Sequence, residues 1–455
     1  MSKEIKKYLV VGFGRAGKAA ARFLSSRGHF VKVTDSRGLD EFDAKQLELP
    51  KEIELELGGH RLESFLSADM IIASPGVPWI EEMRAARKAG VPIVDEAQLA
   101  AWEIKGDFIA LTGTNGKSTT TVLLGKMLAS TGRPVFYGGN LGNPLIECVE
   151  KDPAKKGGLV VAELSSFQLQ RCPDLKPGTA VLLNLDEDHL DRHENMEEYA
   201  QAKAMIFKNQ TRHDWALVNG NQEQCLSIGQ SSRGSLLKFR DGVEVKKGGY
   251  LKGDRILVAL PGRELIEISS EGMALNGRHN LKNALAASIV ASIYGVSQKN
   301  IEDVLQKFAG LPHRMQRIGV HGGVVFYDDS KATNVSSAVG SLCGLEGRFV
   351  LIAGGKHKGS SYEPLKEVLS AGCDSLVLLG EAASLMESQL GNSVPDVVRV
   401  EDMKEAVFEA YQRVGKGNHV VLCPACSSYD MFENFEKRGE AFAEAVALLA
   451  KEEMH

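Results

Sequence analysis

The sequence has no apolar run long enough to cross a membrane, no excess of charge of either sign, and few cysteines. Its apolar runs fall short of the roughly 20 residues that a membrane-spanning helix needs, so we expect no membrane insertion. The 54 basic and 59 acidic residues are well mixed and give a net charge of −5. This balance predicts no binding of nucleic acid or of an anionic membrane surface.

The cysteines and the amino terminus both indicate a reducing compartment. The seven cysteines are scattered along the chain, and an odd number without a regular framework is typical of a protein without disulfides. The amino terminus, MSKEIKKYLVVG, passes from charged residues directly into a strand-like run, without a secretory apolar segment or cleavage site. We therefore expect a cytoplasmic protein.

Short apolar runs alternate with helical patterns in three parts of the chain, which predicts α/β domains with mainly parallel sheets. In residues 1–97 the predicted strands are YLVVGFG, FVKVTD, MIIASPG and PIVDE. Residues 98–309 contain strands, a glycine-rich turn and, between about 215 and 270, short alternating runs that predict a small antiparallel patch. Residues 310–455 alternate strands and helices again. We predict a Rossmann-like domain, a central P-loop domain and a second Rossmann-like domain with these boundaries.

The stretch VVGFGRAGKAA contains Gly12, Gly14 and Gly17 in the spacing G-x-G-x-x-G, between a predicted strand and a predicted helix. This arrangement is typical of the phosphate turn of a dinucleotide-binding unit. Asp35 ends the next apolar run, where such units carry an acidic residue for a ribose. By itself the stretch would allow an NAD-dependent dehydrogenase.

The stretch LTGTNGKSTTT predicts a nucleotide-binding loop in the central part. Glycines let the backbone approach phosphates, Lys117 can neutralise their charge, and the Ser118 hydroxyl can bind Mg²⁺. The match to G-x-x-x-x-G-K-[ST] is incomplete, because Leu111 replaces the first glycine. An ordinary glycine-rich turn is the alternative, but the order strand, Gly-Lys-Ser and helix favours a nucleotide.

Two further stretches of the central part carry metal-binding side chains. Glu163 ends an apolar strand, where an acidic residue can hold the Mg²⁺ of a bound nucleotide. In NLDEDHLDRH, His189 and His193 have the spacing of a zinc pair on a helix, but no H-E-x-x-H pattern is present. We expect His189 to face magnesium or substrate instead. Lys203, taken alone, is a lysine on a predicted helix.

In the third part, the polar stretches FYDDSKATN, AGGKHKGS and CPACSSYD follow predicted strands. Ligands of open α/β sheets bind beyond the carboxyl ends of strands, so these stretches should gather at one edge. Cys423 and Cys426 have a C-x-x-C spacing that also occurs in redox and metal sites. Because they follow the last strand, we favour nucleotide chemistry over a redox role.

Taken together, these stretches resemble the Mur ligases, which build the peptide of peptidoglycan. GTNGKST is shared with the related folylpolyglutamate synthases, whereas ELSSFQL, DEDHLDRH, LPHR, DDSKATN and PACSSYDMFENFEKRGEAF resemble the D-glutamate-adding members. The resemblance implies an ATP-dependent ligase that adds D-glutamate to UDP-N-acetylmuramoyl-L-alanine. An acyl phosphate and a tetrahedral intermediate would precede release of ADP and phosphate. It also implies that the first domain binds the UDP of the substrate, and not a nicotinamide.

The resemblance implies a role for each matching residue. The implied ATP-binding residues are Gly113, Thr114, Asn115, Gly116, Lys117, Ser118, Thr119, Asn280, Asn283, Arg314, Asp329 and Lys331. The implied UDP-substrate residues are Gly14, Arg15, Ala16, Asp35, Ser36, Arg37, Ser74, Gly76, Asn140, Ser165, Gln168 and His189. The implied D-glutamate residues are Thr333, Lys358, Ser428, Tyr429 and Phe435. The implied metal ligands are Ser118, Glu163, His189 and a carbamylated Lys203, and the implied catalytic residues are Lys117, His189, Lys203, Arg314 and Lys331.

The same resemblance implies ATP as co-substrate, two Mg²⁺ ions that Mn²⁺ could replace, and a monomer. Carbamylation would turn the Lys203 cation into an anionic oxygen ligand, the kind that Mg²⁺ prefers. Three alternatives remain at this stage. A dehydrogenase leaves the central loop without a role, a non-catalytic P-loop switch leaves the third domain without one, and a sister ligase would take another amino acid.

Overall fold

The computed structural model describes residues 5–42, 47–140, 142–189, 192–275 and 277–452. Their strands form sheets of five, nine and six strands. By its contacts the chain divides into two compact units. The first comprises Met1–Leu185, Glu197–Ser269 and Lys282–Val304, and the second comprises Asp186–Met196, Ser270–Leu281 and Leu305–His455.

The first sheet is parallel, with strand order β3-β2-β1-β4-β5. Its strands are β1 (Lys7–Val11), β2 (Phe30–Asp35), β3 (Glu54–Leu57), β4 (Met70–Ala73) and β5 (Ile93–Val94), and its part of the chain contains helices α1 (Arg15–Ser26), α2 (Leu62–Leu66), α3 (Glu81–Lys88) and α4 (Glu96–Glu103). The sequence pattern predicts every strand except β3. That strand alternates glutamate with leucine at the edge of the sheet, where charged side chains discourage pairing with other chains.

The second sheet has the strand order β14-β13-β12-β11-β10-β9-β6-β8-β7. Its strands are β6 (Asp107–Thr112), β7 (Val135–Gly139), β8 (Leu159–Glu163), β9 (Thr179–Leu182), β10 (Trp215–Asn219), β11 (Ser235–Asp241), β12 (Gly248–Lys252), β13 (Arg255–Ala259) and β14 (Ile266–Ser269). The predicted antiparallel patch is confirmed for β12, β13 and β14. The runs before it, β10 and β11, are parallel and extend the sheet.

The helices of the central part are α5 (Lys117–Ala129), α6 (Ser166–Leu169), α7 (Met196–Ala204), α8 (Glu223–Ser231), α9 (Arg278–Ile293) and α10 (Gln298–Lys307). The predicted helix that follows the glycine-rich loop and the predicted helix that carries Lys203 are thereby confirmed. Helix α5 is buried along most of its length, which fixes the loop that precedes it.

The third sheet has the order β15-β16-β20-β17-β18-β19, and all of its pairings are parallel except that of β15 with β16. Its strands are β15 (Gln316–His321), β16 (Val324–Asp328), β17 (Phe349–Gly354), β18 (Cys373–Leu379), β19 (Val397–Arg399) and β20 (His419–Leu422), with helices α11 (Val335–Leu342), α12 (Lys366–Gly372), α13 (Ala383–Leu390), α14 (Met403–Arg413) and α15 (Phe435–Glu452). Side chains of β17 alternate between two hydrophobic clusters, Leu351 in one and Val350 in the other. The sheet is therefore covered on both faces, as in doubly wound folds.

Among the described residues, no helix is both long enough and apolar enough to cross a membrane.

Candidate active site

Three neighbouring strands of the second sheet end at one edge and place their following residues together. Leu111 of β6 pairs with Glu163 of β8 and with Val181 of β9. The loop after β6, the carboxylate that ends β8 and Asn184 after β9 therefore lie side by side. This is the edge at which ligands of open α/β sheets bind.

The loop between β6 and α5 has a backbone that requires glycine. Gly116 caps α5 with a φ of +79°, and a β-carbon added there would lie 2.2 Å from Asn283 Oδ1. Asn184 Oδ1 accepts the N–H groups of Thr114 and Asn115 at 3.0 and 2.7 Å. The loop is thus held open at the amino end of α5, where helix amides and the helix dipole favour an anion.

Two lysine ammonium groups converge on this loop. Lys117 Nζ donates to the carbonyls of Gly113 and Thr114 at 2.9 and 2.8 Å, and Lys203 Nζ donates to Gly113 at 2.8 Å. Lys203 is only 1% exposed and lies over the Tyr199 ring, whose hydroxyl is 3.2 Å from Thr114 Oγ1. Two ammonium groups, one buried and one half-buried, thus donate to one carbonyl of the loop, and such a concentration of positive charge favours an anion.

Glu163 supplies the negative side of the same edge. Its side chain is buried, and Oε1 accepts from Asn140 Nδ2 at 3.0 Å. Its Oε2 is buried without a hydrogen-bond partner among the described residues. A buried carboxylate oxygen without a hydrogen-bond partner fits a hard cation.

Within the described residues, no group of three or more His, Cys, Asp or Glu side chains could hold a metal by itself. A cation here would therefore complete its shell with hydroxyl, water and phosphate oxygens, as Mg²⁺ commonly does. In the structure Lys203 is an ordinary amine that donates to a carbonyl. Its carbamylation remains a prediction.

In the first sheet, Asp35 holds the glycine turn in place. Its carboxylate accepts the Phe13 N–H at 2.7 Å and both the N–H and the guanidinium of Arg37. Burial disfavours its ionisation, but the hydrogen bonds from Arg37 and Phe13 outweigh burial and lower the pKa of Asp35. Contact of Asp35 with a base or ribose remains a prediction. Near it lie Gly14, Arg15, Ser36 and Gly76, which are exposed, and Ala16, which is half-buried.

Ser165 and Gln168 pair with each other rather than facing open space. Ser165 Oγ accepts the Gln168 N–H, and Gln168 Oε1 accepts the Ser165 N–H at 3.0 Å, so that together they cap α6. Gln168 is 1% exposed. The two residues that are predicted to line the muramoyl-alanine path therefore form part of a rigid helical turn.

In the second unit, Asp188 is the centre of a buried polar cluster. Its carboxylate accepts from Lys358 Nζ at 2.9 Å, from Asn334 Nδ2 at 2.8 Å and from the His189 N–H at 2.9 Å. Burial alone would raise the pKa of Asp188, but the charges of Lys358 and His189 hold it at about 2. A protein carboxylate therefore engages Lys358, the lysine predicted to hold the carboxylate of D-glutamate.

We expect Asp188→Asn to lower the free energy of unfolding at pH 7 by about 2–4 kcal/mol, because the Lys358 ammonium keeps its burial and loses its partner. Folding lowers the pKa of Asp188 from 3.8 to about 2, so its contribution is present above pH 4 and is lost as the pH falls toward 2. We expect urea unfolding at pH 7, 4 and 3 to show that the difference in the free energy of unfolding between Asp188→Asn and wild type becomes smaller as the pH falls. The exposed neighbour Glu187, changed to Gln, is the control, and an equal loss in both variants would contradict the pairing.

The residues after β16 lie against α15 and the loop after β20. Asp329 is 3% exposed, and its carboxylate accepts the Met315 N–H. Burial raises the pKa of Asp329 to about 6, although the charge of Arg314 acts to lower this pKa. Lys331 Nζ lies 4.0 Å from the centre of the Phe435 ring. Lys331, which is predicted to bind ATP, thus lies beside Phe435, which is predicted to bind D-glutamate.

Other predicted residues of the second unit differ in exposure. Ser428 is buried, Thr333 and Asn280 are half-buried, and Tyr429 is 72% exposed. The predicted contact of Tyr429 with D-glutamate remains a prediction.

Comparison with known proteins gives the same result over the whole chain. Three family models match: the MurD-like N-terminal domain of Mur ligases over residues 6–95, the Mur ligase middle domain over 111–291, and the Mur ligase glutamate ligase domain over 313–426. The UDP-N-acetylmuramoylalanine–D-glutamate ligase of Geobacter sp. (strain M21) is 41% identical over 98% of both chains. The chain belongs to the Mur ligase family.

Further relatives agree with this Mur ligase assignment. The ligase of the same name from Koribacter versatilis is 38% identical, again over 98% of both chains. Among solved structures, the UDP-N-acetylmuramate–alanine ligase of Thermotoga maritima has a TM-score of 0.62 at 20% identity, covering 98% of this chain and all of that one. A pseudomurein peptide ligase from Methanothermus fervidus has a TM-score of 0.61 at 19% identity over 98% of this chain. These two structures show that the Mur ligase fold is shared.

The structure does not favour zinc or redox chemistry in this Mur ligase. His189 has a φ of +57°, which is not helical, and Leu190 and Asp191, between His189 and His193, are outside the described residues. Both C-x-x-C cysteines are buried free thiols. Burial raises the pKa of Cys426 to about 11 and that of Cys423 well above its ordinary value, so neither readily forms the thiolate that redox chemistry requires.

The sequence patterns do not single out the residues that contact the predicted site residues and hold them in position. Asn184 shapes the phosphate loop and Tyr199 lies under Lys203. Asp188 accepts from Lys358, and Asn334 donates to the other oxygen of Asp188. Arg438 is 2% exposed and donates to the carbonyls of Ser330, Cys426 and Ser427. The only sequence signal for them is that each stands within or beside a quoted polar stretch.

Proposed function

We propose that this protein is the ATP-dependent ligase that joins D-glutamate to UDP-N-acetylmuramoyl-L-alanine in the synthesis of peptidoglycan precursors. The observation that carries the proposal is the match to D-glutamate ligases, which covers 98% of the chain. In the P-loop of this chain, two ammonium groups donate to one carbonyl. The D-glutamate ligases supply the substrate class, and the loop explains how ATP can be held.

On this proposal the reaction has two chemical steps. The carboxylate of the L-alanine end attacks the γ-phosphorus of ATP, which forms an acyl phosphate and releases ADP. The amine of D-glutamate then attacks the acyl carbon, and the tetrahedral intermediate expels phosphate to leave an amide. Neutralising charge and placing the reactants in line are the main tasks of the protein in phosphoryl transfer.

We assign the nucleotide to the loop from Gly113 to Thr119. Lys117 neutralises the β- and γ-phosphate oxygens, and the amino end of α5 faces them. Asn283, whose side chain borders Gly116, lies where it can contact the nucleotide. From the second unit we assign Asn280, Arg314, Asp329 and Lys331 to ATP.

Ser118 and Glu163 of the first unit carry donors that suit a divalent metal ion, and we assign one Mg²⁺ to them. By resemblance alone we assign a second Mg²⁺ to His189 and a carbamylated Lys203, with Mn²⁺ as a substitute. Bound Mg²⁺ supplies positive charge against the phosphate oxygens. The unpartnered Glu163 Oε2 is the feature that supports the first assignment.

The UDP-substrate and the amino acid take the remaining assignments. The glycine turn with Asp35, Arg37 and Ser74 would hold UDP, and Asn140, Ser165 and Gln168 would line the acyl end. Thr333, Lys358, Ser428 and Phe435 would hold D-glutamate, with Lys358 exchanging Asp188 for a substrate carboxylate. We also propose domain boundaries at 1–97, 98–309 and 310–455, and a monomer.

The deciding experiment is an amino-acid specificity assay. With ATP, Mg²⁺ and UDP-N-acetylmuramoyl-L-alanine present, we expect phosphate release only when D-glutamate is added. L-Glutamate, L-lysine and D-alanyl-D-alanine are the comparison substrates, and omission of the UDP-substrate is the blank. Turnover with one of those three in place of D-glutamate would show a sister ligase and overturn the assignment.

A further inference from the structure

Arg171 is a buried arginine of the first unit that connects two parts of the chain distant in sequence. It is 3% exposed and lies two residues after α6 ends at Leu169. Its Nη1 donates to the Ser74 carbonyl at 3.2 Å, and its Nη2 donates to the Val77 carbonyl at 2.7 Å. One guanidinium thus clamps both ends of the four-residue turn 74–77.

The clamped turn is seated directly on the glycine turn of the first sheet. Ser74 Oγ donates to the Gly12 carbonyl at 3.1 Å, and the Ser74 N–H donates to Val11 at 2.9 Å. A β-carbon added to Gly12 would lie 2.8 Å from a methyl group of Val77. Movement of the 74–77 turn would therefore disturb the backbone that approaches the phosphate.

The surroundings of Arg171 fix its position and compensate its charge. Its guanidinium lies 5.2 Å from the centre of the Trp79 ring, within the range of a cation–π contact. The Asp95 N–H donates to the Arg171 carbonyl at 3.0 Å, and the Asp95 carboxyl group is fully buried beside it. An arginine held by two carbonyls and an aromatic ring has little freedom to rearrange.

The same short segment also carries Ser165 and Gln168, which cap α6 by bonding to each other. On the proposed function, these two residues face the acyl end of the UDP-substrate and the 74–77 turn faces its uridine end. The chain from Ser165 to Arg171 is therefore a rigid connection between the two ends of one binding site.

We infer that Arg171 is a positioning residue that sets the separation between the uridine end and the acyl end of the UDP-substrate site. This inference rests on the proposed function. It predicts that loss of the clamp weakens binding of the UDP-substrate, because the site must then be ordered on binding. The clamp acts on the 74–77 turn through the Ser74 and Val77 carbonyls, and on the proposed function that turn faces the UDP-substrate, so the KM for ATP should not change.

The test is Arg171→Met, which keeps the length and apolar stem and removes all five donors. We expect the KM for UDP-N-acetylmuramoyl-L-alanine to rise about tenfold or more, from loss of two charge-assisted hydrogen bonds. We expect kcat and the KM for ATP to stay within about twofold, because the clamp contributes to binding and not to the chemical step. Arg171→Lys, which can restore one carbonyl contact, should give an intermediate KM.

Arg133→Met is the matched control. Arg133 also donates to two backbone carbonyls, those of Gly157 and Gly158, and it pairs with Asp107 at the beginning of β6. It lies at the opposite end of the strand from the phosphate loop. A general loss of stability would affect both arginine variants, whereas loss of positioning would affect only Arg171.

Two binding measurements distinguish failure of this inference from failure of the proposed function. Calorimetry with UDP alone and amide hydrogen exchange over residues 74–77 are carried out on wild type and on each variant. Absence of UDP binding by wild type would overturn the proposed function. UDP binding by wild type with an unchanged KM and unchanged exchange in Arg171→Met would overturn only the positioning role. If Arg171→Met does not fold, Arg171→Lys decides in the same way.

Discussion

Lys117→Ala should abolish ligation while the fold survives. The Lys117 ammonium is held at the mouth of the phosphate loop by the carbonyls of Gly113 and Thr114. On the proposed function this ammonium neutralises γ-phosphate charge, and removing such a preorganised charge costs about 10³-fold in kcat. Phosphate release with all three substrates measures the loss, and circular dichroism with thermal unfolding measures the fold.

The control for Lys117 is on the same helix. Lys126 lies on α5 with its side chain in solvent, so Lys126→Ala removes a lysine from that helix without touching the loop. We expect it to retain wild-type turnover. Near-normal activity of Lys117→Ala would show that the loop does not belong to the ATP site. An equal loss of activity in both variants would indicate damage to the helix.

Lys203→Ala should also be inactive, with a loss of about 10²–10³-fold in kcat if it provides charge at the reacting phosphate. Lys203 is buried and reaches Gly113 of the loop from α7. A carbamate on its amine would supply an oxygen ligand to a metal, and a short carboxylate such as acetate could occupy the space that the truncated side chain leaves. We therefore expect partial rescue by acetate in the presence of Mg²⁺.

The rescue distinguishes the two roles that Lys203 could have. If inactivity persists at every acetate concentration, the lysine acts as the ammonium that donates to Gly113, and the carbamate assignment is wrong. Full activity of Lys203→Ala without acetate would show that Lys203 has neither role. Lys208→Ala is the control, because Lys208 is an exposed lysine five positions later in the chain, and it should show neither loss nor rescue.

Local patterns predicted the elements whose signal is contained in adjacent residues. The glycine-rich loop, the helix that starts at Lys117 and the strand that ends at Glu163 each follow from a strand-turn-helix pattern. The edge strand β3 was missed because its glutamates dilute the apolar signal. Strands β10 and β11 were predicted only as part of an antiparallel patch, because strand direction depends on pairing partners and not on composition.

The predicted site residues depended on resemblance more than on pattern. Lys203 is an unremarkable helix lysine in the sequence, and Lys358 is one of the two lysines in the stretch AGGKHKGS. The structure adds what surrounds them: Lys203 donates to the phosphate loop, and Lys358 is paired with Asp188. Asp188 is 170 positions from Lys358, a separation over which no local pattern carries information.

By itself the sequence determined the fold class, the presence of a phosphate loop and the family, because these depend on residue types at short, fixed spacings. Only the tertiary structure decided which polar groups are already paired. It showed that Asp35 is used to hold the glycine turn, that one oxygen of Glu163 has no partner among the described residues, and that Arg171 clamps the 74–77 turn. Hydrogen bonding and burial join residues far apart in the chain, and folding alone brings those residues within reach of each other.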